Sequence, residues 1–456
     1  MEDKRKEVLL VLMGLGLCFI YFCFILINME WVSGGADSYS HFLISKYAYV
    51  DQNLFFHHWG KPFFTLVSSP FAQFGLKGVE LFNVLCLFFG AWFSYQIGIL
   101  LKIKYAWLVP FFVIFAPLAF SNVFSSLTEP FALLIIVLGL YLLIKENFVW
   151  SMIAFSFLIF VRNEAFILFP LLIVYNFRKG KNLVSAFLLF GFLTYSLMGA
   201  WIYSNLFWII EEFPYKGAAS IYGSGDIMHF LNNYQSITHL PIGIAFVLGV
   251  VFWCISLFQN KEGNSDFKGL LIGMSLVFLL GHSIVWNLGL GGSYGLTRVL
   301  LPIIPLIGIV AVLGWSKLIE SISNSRLAIA LSIVLLAVVI YIPIERQRFP
   351  KELDSEERGI KMLSLGLNKN FDGVNVAFYH PAVAHYLNLN PFGKTCFDVV
   401  RMGNSVLDNL GSGDLLIWDS HFGPNEGKTP VNLLEDFRII DKVEEGSFQI
   451  YLFRKK

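Results

Sequence analysis

The sequence predicts an α-helical, polytopic membrane bundle of about 11 transmembrane helices, followed by a small α/β domain at its C-terminal end. Composition is the first indication, because 56% of the 456 residues are hydrophobic and only 14% are charged. The second is a series of apolar segments close to the roughly 20 residues that a helix needs to cross the hydrocarbon core. The third is a change after residue 344, where charge rises and the apolar runs become short.

Eleven segments qualify as spans, with centres near residues 18, 90, 114, 137, 155, 170, 196, 249, 280, 307 and 335. The first, "VLLVLMGLGLCFIYFCFILINM", exceeds a signal-peptide core and lacks a small-residue cleavage site, so we expect it to remain as a spanning helix. Two boundaries stay open. Two short spans flank "VRNEAF", and residues 63–76 are compatible with a re-entrant segment.

The basic residues predict the orientation of the spans, because Lys and Arg concentrate in cytoplasmic loops. With the N-terminus in the cytoplasm, that side holds Lys4, Arg5, Lys6, Lys102, Lys104, Lys145, Arg178, Lys179, Lys181, Lys261, Lys268, Lys317 and Arg326. The opposite side holds only Lys46, Lys61, Lys77, Arg162, Lys216 and Arg298. We therefore expect a plasma (inner) membrane protein with an extracytoplasmic C-terminal domain, favouring a bacterial membrane. An endoplasmic-reticulum membrane with a lumenal site has the same topology.

The sequence divides into a membrane domain, residues 1–343, and a tail domain, residues 344–456. Short runs of β-branched and aromatic residues bounded by Gly, Asp and Asn are typical of strands, and "EEG" predicts a terminal hairpin turn. The tail contains four such runs: "VNVAFYH", "DLLIWDS", "FRIIDKV" and "FQIYLF".

Neither the net charge nor the cysteines indicate a binding site for nucleic acid or for a metal. The net charge of +1 and the lack of a long basic run give no sign of a nucleic-acid partner. The cysteines lie mostly in apolar runs, without a C-x-x-C pair or a His at metal-ligand spacing, so we interpret them as packing residues. They are Cys18, Cys23, Cys86, Cys254 and Cys396.

Four polar clusters fall on the outer side under this topology. They are Asp37 with His41 in outer loop 1 (residues 30–77), "HHWGKP" at 57–62, "LTEP" with "VRNE", and "GSYGLTR" at 292–298. Ionisable groups at the ends of spanning helices are costly when they face lipid, so we expect them to line an aqueous or protein-walled cavity.

One carboxylate beside several cations suits deprotonation of a hydroxyl together with stabilisation of a departing phosphate. Asp37 is the candidate base, and His41 lies one helical turn away to orient it or its substrate. Candidate phosphate ligands are His57, His58, Lys61, Arg162 and Arg298, with the two histidines partly charged at neutral pH. Candidate substrate-binding residues are Glu129, Glu164 and Tyr294.

Each of these residues also has a structural interpretation. "GGADS" is acceptable helix-capping sequence, the histidines beside Trp59 suit an interfacial anchor, and Lys61 can snorkel to the interface. Glu129 and Glu164 suit the first turn of a span, and Arg162 can pair with Glu164 alone. Arg298 is placed against the helix dipole, which favours a partner for it. Outer loop 4, residues 209–238, is either a mobile cover for a substrate groove or an ordinary solvated loop.

The order of the motifs "GADSYSH", "HHWGKPFF", "LTEP", "VRNEAFILFP" and "LTRVLLPIIP" resembles the GT-C glycosyltransferases, nearest the protein mannosyltransferase and aminoarabinose transferase branch. The resemblance covers roughly residues 1–343. It implies a GT-C type fold, a polyprenyl-phosphate sugar as donor, and inversion of the anomeric carbon in a single displacement.

The resemblance also implies roles for particular residues. The family's catalytic Asp corresponds to Asp37, its basic and polar residues beside the "KP" turn to His58 and Lys61, and its Arg before "LLP" to Arg298. Many relatives carry an acidic pair in the first loop, whereas this chain has Tyr39 at the second position after Asp37. We therefore expect no essential metal and no cofactor.

The sequence thus predicts a glycosyltransferase that moves a sugar from a polyprenyl-phosphate carrier to a lipid, glycan or protein hydroxyl on the outer face. A lipid or glycan transporter or flippase is the first alternative, although such proteins often show inverted repeats and charge near mid-membrane. A scaffold that uses the tail to bind a cell-envelope partner is the second. The sugar and the acceptor are open.

Overall fold

A computed structural model describes residues 2–212, 223–259, 264–290, 294–367, 371 and 373–456. Lys216 and Lys261 of the charge analysis lie outside the described residues, as do residues 213–222 of outer loop 4 and residues 292–293 of "GSYGLTR".

The helices of the N-terminal three quarters of the chain are α1 (Glu2–Asn28), α2 (Gly35–Tyr47), α3 (Pro62–Ala72), α4 (Leu76–Leu100), α5 (Val109–Ile114), α6 (Pro117–Asn122), α7 (Glu129–Ile144), α8 (Phe148–Leu158), α9 (Phe169–Arg178), α10 (Phe190–Tyr203), α11 (Trp208–Glu211), α12 (His229–Asn232), α13 (Tyr234–Ile237), α14 (His239–Gln259), α15 (Ser265–Asn287), α16 (Ile304–Ile319) and α17 (Ser325–Gln347). Short 3-10 helices cover Gln52–Phe56, Ala106–Leu108, Asn163–Leu168, Asn182–Leu189 and Thr297–Ile303.

Seven helical stretches of the described residues are long and apolar enough to cross a membrane, so the chain is a multi-pass membrane protein. They are Arg5–Asn28, Leu76–Leu100, Asn182–Tyr203, His239–Phe258, Ser265–Asn287, Thr297–Ile319 and Ser325–Gln347. The shorter helices α7 and α8 are also apolar. The expected count of 11 is not confirmed.

The expected span near residue 114 is one place where the apolar pattern and the backbone differ. The chain breaks there between α5 and α6, because Pro117 disfavours helical geometry in the residue before it. Ala116 accordingly adopts a ψ of 128°. The region considered as re-entrant contains α3, whose 11 residues rise only about 17 Å.

Close helix contact at the centre of the bundle depends on small residues. Within Thr297–Ile319, which ends in α16, 89% of an apolar 18-residue stretch is buried. A Cβ on Gly249 of α14 would lie 2.2 Å from the carbonyl oxygen of Val310, and one on Gly314 would lie 2.1 Å from that of Ala245. Glycine at both positions therefore lets the backbones of α14 and α16 approach, as is common in membrane bundles.

The tail forms a small mixed sheet. Its strands are β1 (Val376–Phe378), β2 (Cys396–Asp398), β3 (Leu415–Asp419), β4 (Phe437–Glu445) and β5 (Phe448–Lys455), in the order β2-β1-β3-β5-β4. β1 pairs in parallel with β2 and β3, while β5 is antiparallel to β3 and β4. The remaining helices are α18 (Ser355–Gly366), α19 (Ala382–Tyr386) and α20 (Val399–Met402), with 3-10 helices at Asn404–Leu407 and Val431–Leu433.

The four predicted strands of the tail are confirmed, and β2 is an addition that the sequence analysis missed. Gly446, with a φ of 62°, makes the predicted hairpin turn between β4 and β5. The division of the chain at residues 343 and 344 stays a prediction.

Helix α2 joins the first loop to the tail. The hydroxyl of Tyr39 donates to Glu357 Oε1 at 2.9 Å and lies 3.4 Å from that of Tyr386. Lys46 Nζ donates to Asn388 Oδ1 at 2.8 Å, and Tyr47 donates to a backbone oxygen of the segment after α19 at 3.0 Å. One face of α2 therefore rests on the tail, which leaves its other face for the helical bundle.

Candidate active site

A network of arginines and carboxylates connects four segments that are distant in sequence. Arg298 forms an ion pair with Asp37, and its Nε lies 3.6 Å from Glu129 Oε1. Arg162 donates through Nη1 to the same Glu129 oxygen at 2.9 Å and through Nε to Glu164 Oε1 at 2.6 Å. Glu129 therefore links the two arginines, and the predicted clusters meet at one place.

The starts of helical segments position this network. Glu129 is the first residue of α7, where a negative charge stabilises the helix, and it is 2% exposed. Arg298 is the second residue of a 3-10 helix, a position unfavourable for a cation unless it has a partner. Asp37 and Glu129 are its partners here. Arg162 has extended backbone immediately before the 3-10 helix that contains Glu164.

Asp37 is the accessible carboxylate of the network. Its side chain is 44% exposed, compared with 2% for Glu129 and 31% for Glu164. The N-cap of α2 is Gly34, with a φ of 87°, and a Cβ there would lie 2.6 Å from Leu127. Glycine is therefore needed at this turn for both its φ and its close approach to Leu127. Asp37 lies in the first turn of α2 and is not its cap, so a capping role does not explain it.

His41 is buried, and its ring stacks on that of Trp59 with centroids 4.5 Å apart. Burial, followed by the positive charges of Lys61, Arg298 and Arg162, lowers the pKa of His41 well below its usual range. It is therefore neutral at pH 7. No hydrogen bond joins His41 to Asp37 in the part of the chain that the structure describes, so direct orientation of the carboxylate by His41 is not supported.

Lys61 lies in a tight turn before α3. It is 6% exposed, so the interpretation as a lysine that snorkels to the interface does not fit. Its φ of 63° and ψ of 94° place a non-glycine residue in a sparsely populated conformation, which costs on the order of 1–3 kcal/mol. The turn is fixed by Thr65, whose hydroxyl donates to the Gly60 carbonyl at 2.9 Å.

The two neighbouring histidines have different surroundings. His57 lines a cavity against the tail, and its Nδ1 accepts the Gly60 N–H at 3.1 Å. Burial, with the charges of Arg401, His58 and Lys61, lowers the pKa of His57 to about 4. The prediction that His57 is partly charged at neutral pH is therefore wrong, because burial disfavours the charged form of the imidazole. The ring of His58 packs edge-on against Trp208 at 4.8 Å.

The remaining candidates are Glu164 and Tyr294. Glu164 pairs with Arg162, but Arg162 also binds Glu129, so the pair is not isolated. Tyr294 is 40% exposed and has a φ of 51°.

Sequence reasoning missed three residues. His282 of α15 has its Nε2 4.0 Å from Glu164 Oε1 and packs against Phe278. The rule that an ionisable residue within a span marks function would have selected it. Asn163 has a buried side-chain nitrogen without a hydrogen-bond partner among the described residues. Thr128 Oγ1 lies 3.5 Å from Arg162 Nη1, and Thr128 belongs to the "LTEP" cluster, although it was not selected as a candidate.

Electrostatics suit the network to an anion that competes with its own carboxylates. Arg162 and Arg298 pair with Asp37, Glu129 and Glu164. The charge of Lys61 also acts on Glu164, so three cations face three carboxylates. An arginine can bind phosphate in a bidentate manner, so a phosphate can take the Arg298 guanidinium from the exposed Asp37. Within the described ranges, no group of three or more His, Cys, Asp or Glu side chains is arranged to hold a metal ion.

Comparison with known proteins shows the fold. No family model and no curated protein matches the chain. ArnT from Cupriavidus metallidurans bound to undecaprenyl phosphate is similar, with a TM-score of 0.63 and 12% identity over 98% of this chain and 97% of that one. The apo state of the same protein has a TM-score of 0.63 and is 11% identical, over 96% of this chain and 98% of that one. The chain therefore has the fold of these ArnT structures, in agreement with the fold that the sequence resemblance implied.

Proposed function

We propose that this chain is a GT-C glycosyltransferase that moves a sugar from a polyprenyl-phosphate donor to a hydroxyl acceptor, with inversion at the anomeric carbon. The observation that carries the proposal is the half-exposed Asp37 beside the partly buried Arg298 and Arg162 and the buried Lys61. A base next to fixed cations is the arrangement that sugar transfer from a phosphate requires. The ArnT neighbour, crystallised with undecaprenyl phosphate, supports this class of donor.

The reaction is one displacement. The acceptor oxygen attacks the anomeric carbon while Asp37 takes the hydroxyl proton, and the bond between that carbon and the phosphate oxygen breaks. The electron pair of the broken bond leaves with the polyprenyl phosphate. Arg298, Arg162 and Lys61 stabilise the negative charge that develops there, in a protein-lined site where electrostatic interactions are stronger than in water.

Donor binding and activation of the base are coupled in this scheme. Arg298 is paired with Asp37. A donor phosphate that binds the guanidinium displaces the carboxylate, which then accepts the acceptor proton. Glu129 holds both arginines in place during this exchange, because it is buried and contacts each of them.

The charge distribution supports a site on the outer side of the membrane. We propose that the network faces the outer side of a plasma (inner) membrane, with the N-terminus in the cytoplasm and the tail on the same side as the site. The contacts of α2 with the tail support the last point, because Asp37 and Tyr39 lie on the same short helix.

The direct test supplies purified protein in lipid vesicles with polyprenyl-phosphate sugars of several hexoses and pentoses, together with membrane extract as acceptor. We expect one donor to yield polyprenyl phosphate and a covalently labelled acceptor. Movement of the intact donor across sealed vesicles, without a covalent product, would instead establish a transporter. A folded, lipid-binding protein that does neither would favour a scaffold.

A further inference from the structure

A cavity of about 280 Å³ lies between outer loop 1 and the tail. Loop 1 contributes Asp51, Asn53 and His57, the end of α10 contributes Tyr203, and the tail contributes Phe392 and Arg401. Its volume is near the lower end of the about 300–1,000 Å³ that small-molecule sites occupy. The cavity therefore accommodates one small polar unit.

The lining of this cavity combines hydrogen-bonding groups of both kinds with aromatic rings. The Asp51 carboxylate only accepts hydrogen bonds, the Arg401 guanidinium only donates, and the Asn53 amide does both. Arg401 is held in place because it donates to the Pro391 carbonyl at 2.6 Å and lies 4.5 Å above the Phe392 ring. A sugar hydroxyl both donates and accepts, so this mixture matches it.

The charge of the lining disfavours an anion. Arg401 is opposed by Asp51 across the cavity and by Asp398, which caps α20. His57 is neutral at pH 7, since burial lowers its pKa to about 4. Two carboxylates oppose the single cation Arg401, so no excess of positive charge is left for a phosphate or carboxylate ligand.

One turn separates the cavity from the reacting site. His57 lines the cavity, and Lys61, four residues later, lies in the arginine network, so their Cα atoms are at most about 14 Å apart. The Lys61 N–H donates a hydrogen bond to the His58 carbonyl at 3.2 Å. This turn brings the Cα atoms of His57 and Lys61 closer than that limit. Trp59, between them, stacks on His41, one helical turn from Asp37.

We propose that this cavity binds an uncharged sugar unit of the acceptor, so that a neighbouring hydroxyl of the same glycan reaches Asp37. The inference rests on the proposed transferase function and specifies its acceptor: a neutral glycan, free or as a glycolipid headgroup, and not a phosphorylated sugar or a peptide.

The test measures saccharide binding by ligand-observed NMR to the full chain in lipid nanodiscs, without donor. The probes are neutral di- and trisaccharides of hexoses and N-acetylhexosamines, the same sugars with a phosphate or a carboxylate, and a Ser/Thr-rich peptide. Met402→Trp fills the cavity from an exposed lining position, and Met362→Trp is a matched control on α18, since the two methionines are 47% and 49% exposed. Asn53→Ala removes one polar group without filling space.

We expect neutral saccharides to bind the wild-type protein. Met402→Trp should weaken this binding at least about tenfold and Asn53→Ala several-fold. Met362→Trp should bind the saccharides as tightly as wild type does. Preference for the charged sugars or the peptide, or binding that is unchanged by both Met402→Trp and Asn53→Ala, would overturn the proposal. So would the failure of every neutral saccharide to bind. Binding is measured without turnover, so loss of the transferase activity in a separate assay does not change this result.

Discussion

Arg298 and Asp37 form an ion pair across 261 residues of sequence, joining the first outer loop to the segment that leads into α16. The carboxylate that is suited to accept a proton is thus held by the cation that is suited to receive a phosphate. Substitution of either residue affects both proton transfer and phosphate binding. The two roles are therefore separated by measuring kcat and the donor KM for each variant.

For Arg298→Gln, we expect the KM for the donor to rise about 10- to 100-fold, because a charge-assisted hydrogen bond contributes about 1.5–3 kcal/mol. Asp37 no longer has Arg298 as its partner in this variant and can still act as the base. We therefore expect kcat to fall less than kcat/KM. Steady-state kinetics with a varied donor concentration measure both. Arg326→Gln, at the exposed start of α17, is the control. An unchanged donor KM would show that Arg298 does not contact the phosphate.

For Glu129→Gln, we expect a loss of about 2–3 kcal/mol in unfolding free energy. This is less than the about 3–5 kcal/mol typical of a broken buried pair, because Arg162 keeps Glu164 and Arg298 keeps Asp37. Thermal unfolding in detergent provides the measurement. Undecaprenyl phosphate should raise the Tm more in the variant than in wild type, because its phosphate replaces the missing negative charge.

The control for that experiment is Glu320→Gln, which removes an exposed pair with Lys317. Such surface pairs contribute about 0–1 kcal/mol, so its Tm should stay close to that of wild type. Equal stabilisation of wild type and Glu129→Gln by the phosphate lipid would argue against an anion site at the two arginines.

Glu357 predicts how stability depends on pH. Burial, with smaller effects of Asp354 and Glu356, raises the pKa of Glu357 from 4.5 to about 8, against the hydrogen bond from Tyr39. Between these values the folded chain keeps a proton that the unfolded chain loses. Stability should therefore fall as pH rises from about 4.5 to 8, by about 1.4 kcal/mol per pH unit from this group.

Glu357→Gln removes that titration and keeps an oxygen that accepts the Tyr39 hydrogen bond. We expect the variant to gain stability relative to wild type as pH rises to about 8, and the difference to stay constant above it. Thermal unfolding from pH 5 to 9 tests this, with exposed Glu345→Gln as the control. Parallel curves for Glu357→Gln and wild type would mean that the carboxyl is ionised throughout.

The clustering of the site was predictable because topology decides which helix ends share a side of the membrane. The positive-inside pattern assigned Asp37, Lys61, Arg162 and Arg298 to one side, and their charges do meet. The pairings were not predictable. Nothing local to Asp37 indicates that Arg298 is its partner, since the contact depends on how distant helices pack.

Side-chain direction is the other feature that the sequence did not reveal. His41 has the spacing to face Asp37, yet its ring stacks on Trp59. His57 and Lys61 share a short motif, but the turn directs His57 to the tail and Lys61 into the site. Apolar length also did not reveal the break that Pro117 introduces near residue 114, because hydropathy does not report backbone geometry.

The most direct test of the account is release of polyprenyl phosphate by Asp37→Asn, with Asp266→Asn as the matched control. Asp266 lies in the first turn of α15 and pairs with Arg178. It is about 24 Å along the helix from His282, which lies beside the network. With the donor and acceptor that wild type uses, we predict a loss of about 10²–10⁴-fold in kcat for Asp37→Asn, an unchanged Tm, and wild-type rates for Asp266→Asn. Release at the wild-type rate by folded Asp37→Asn would contradict the role of Asp37 as the base.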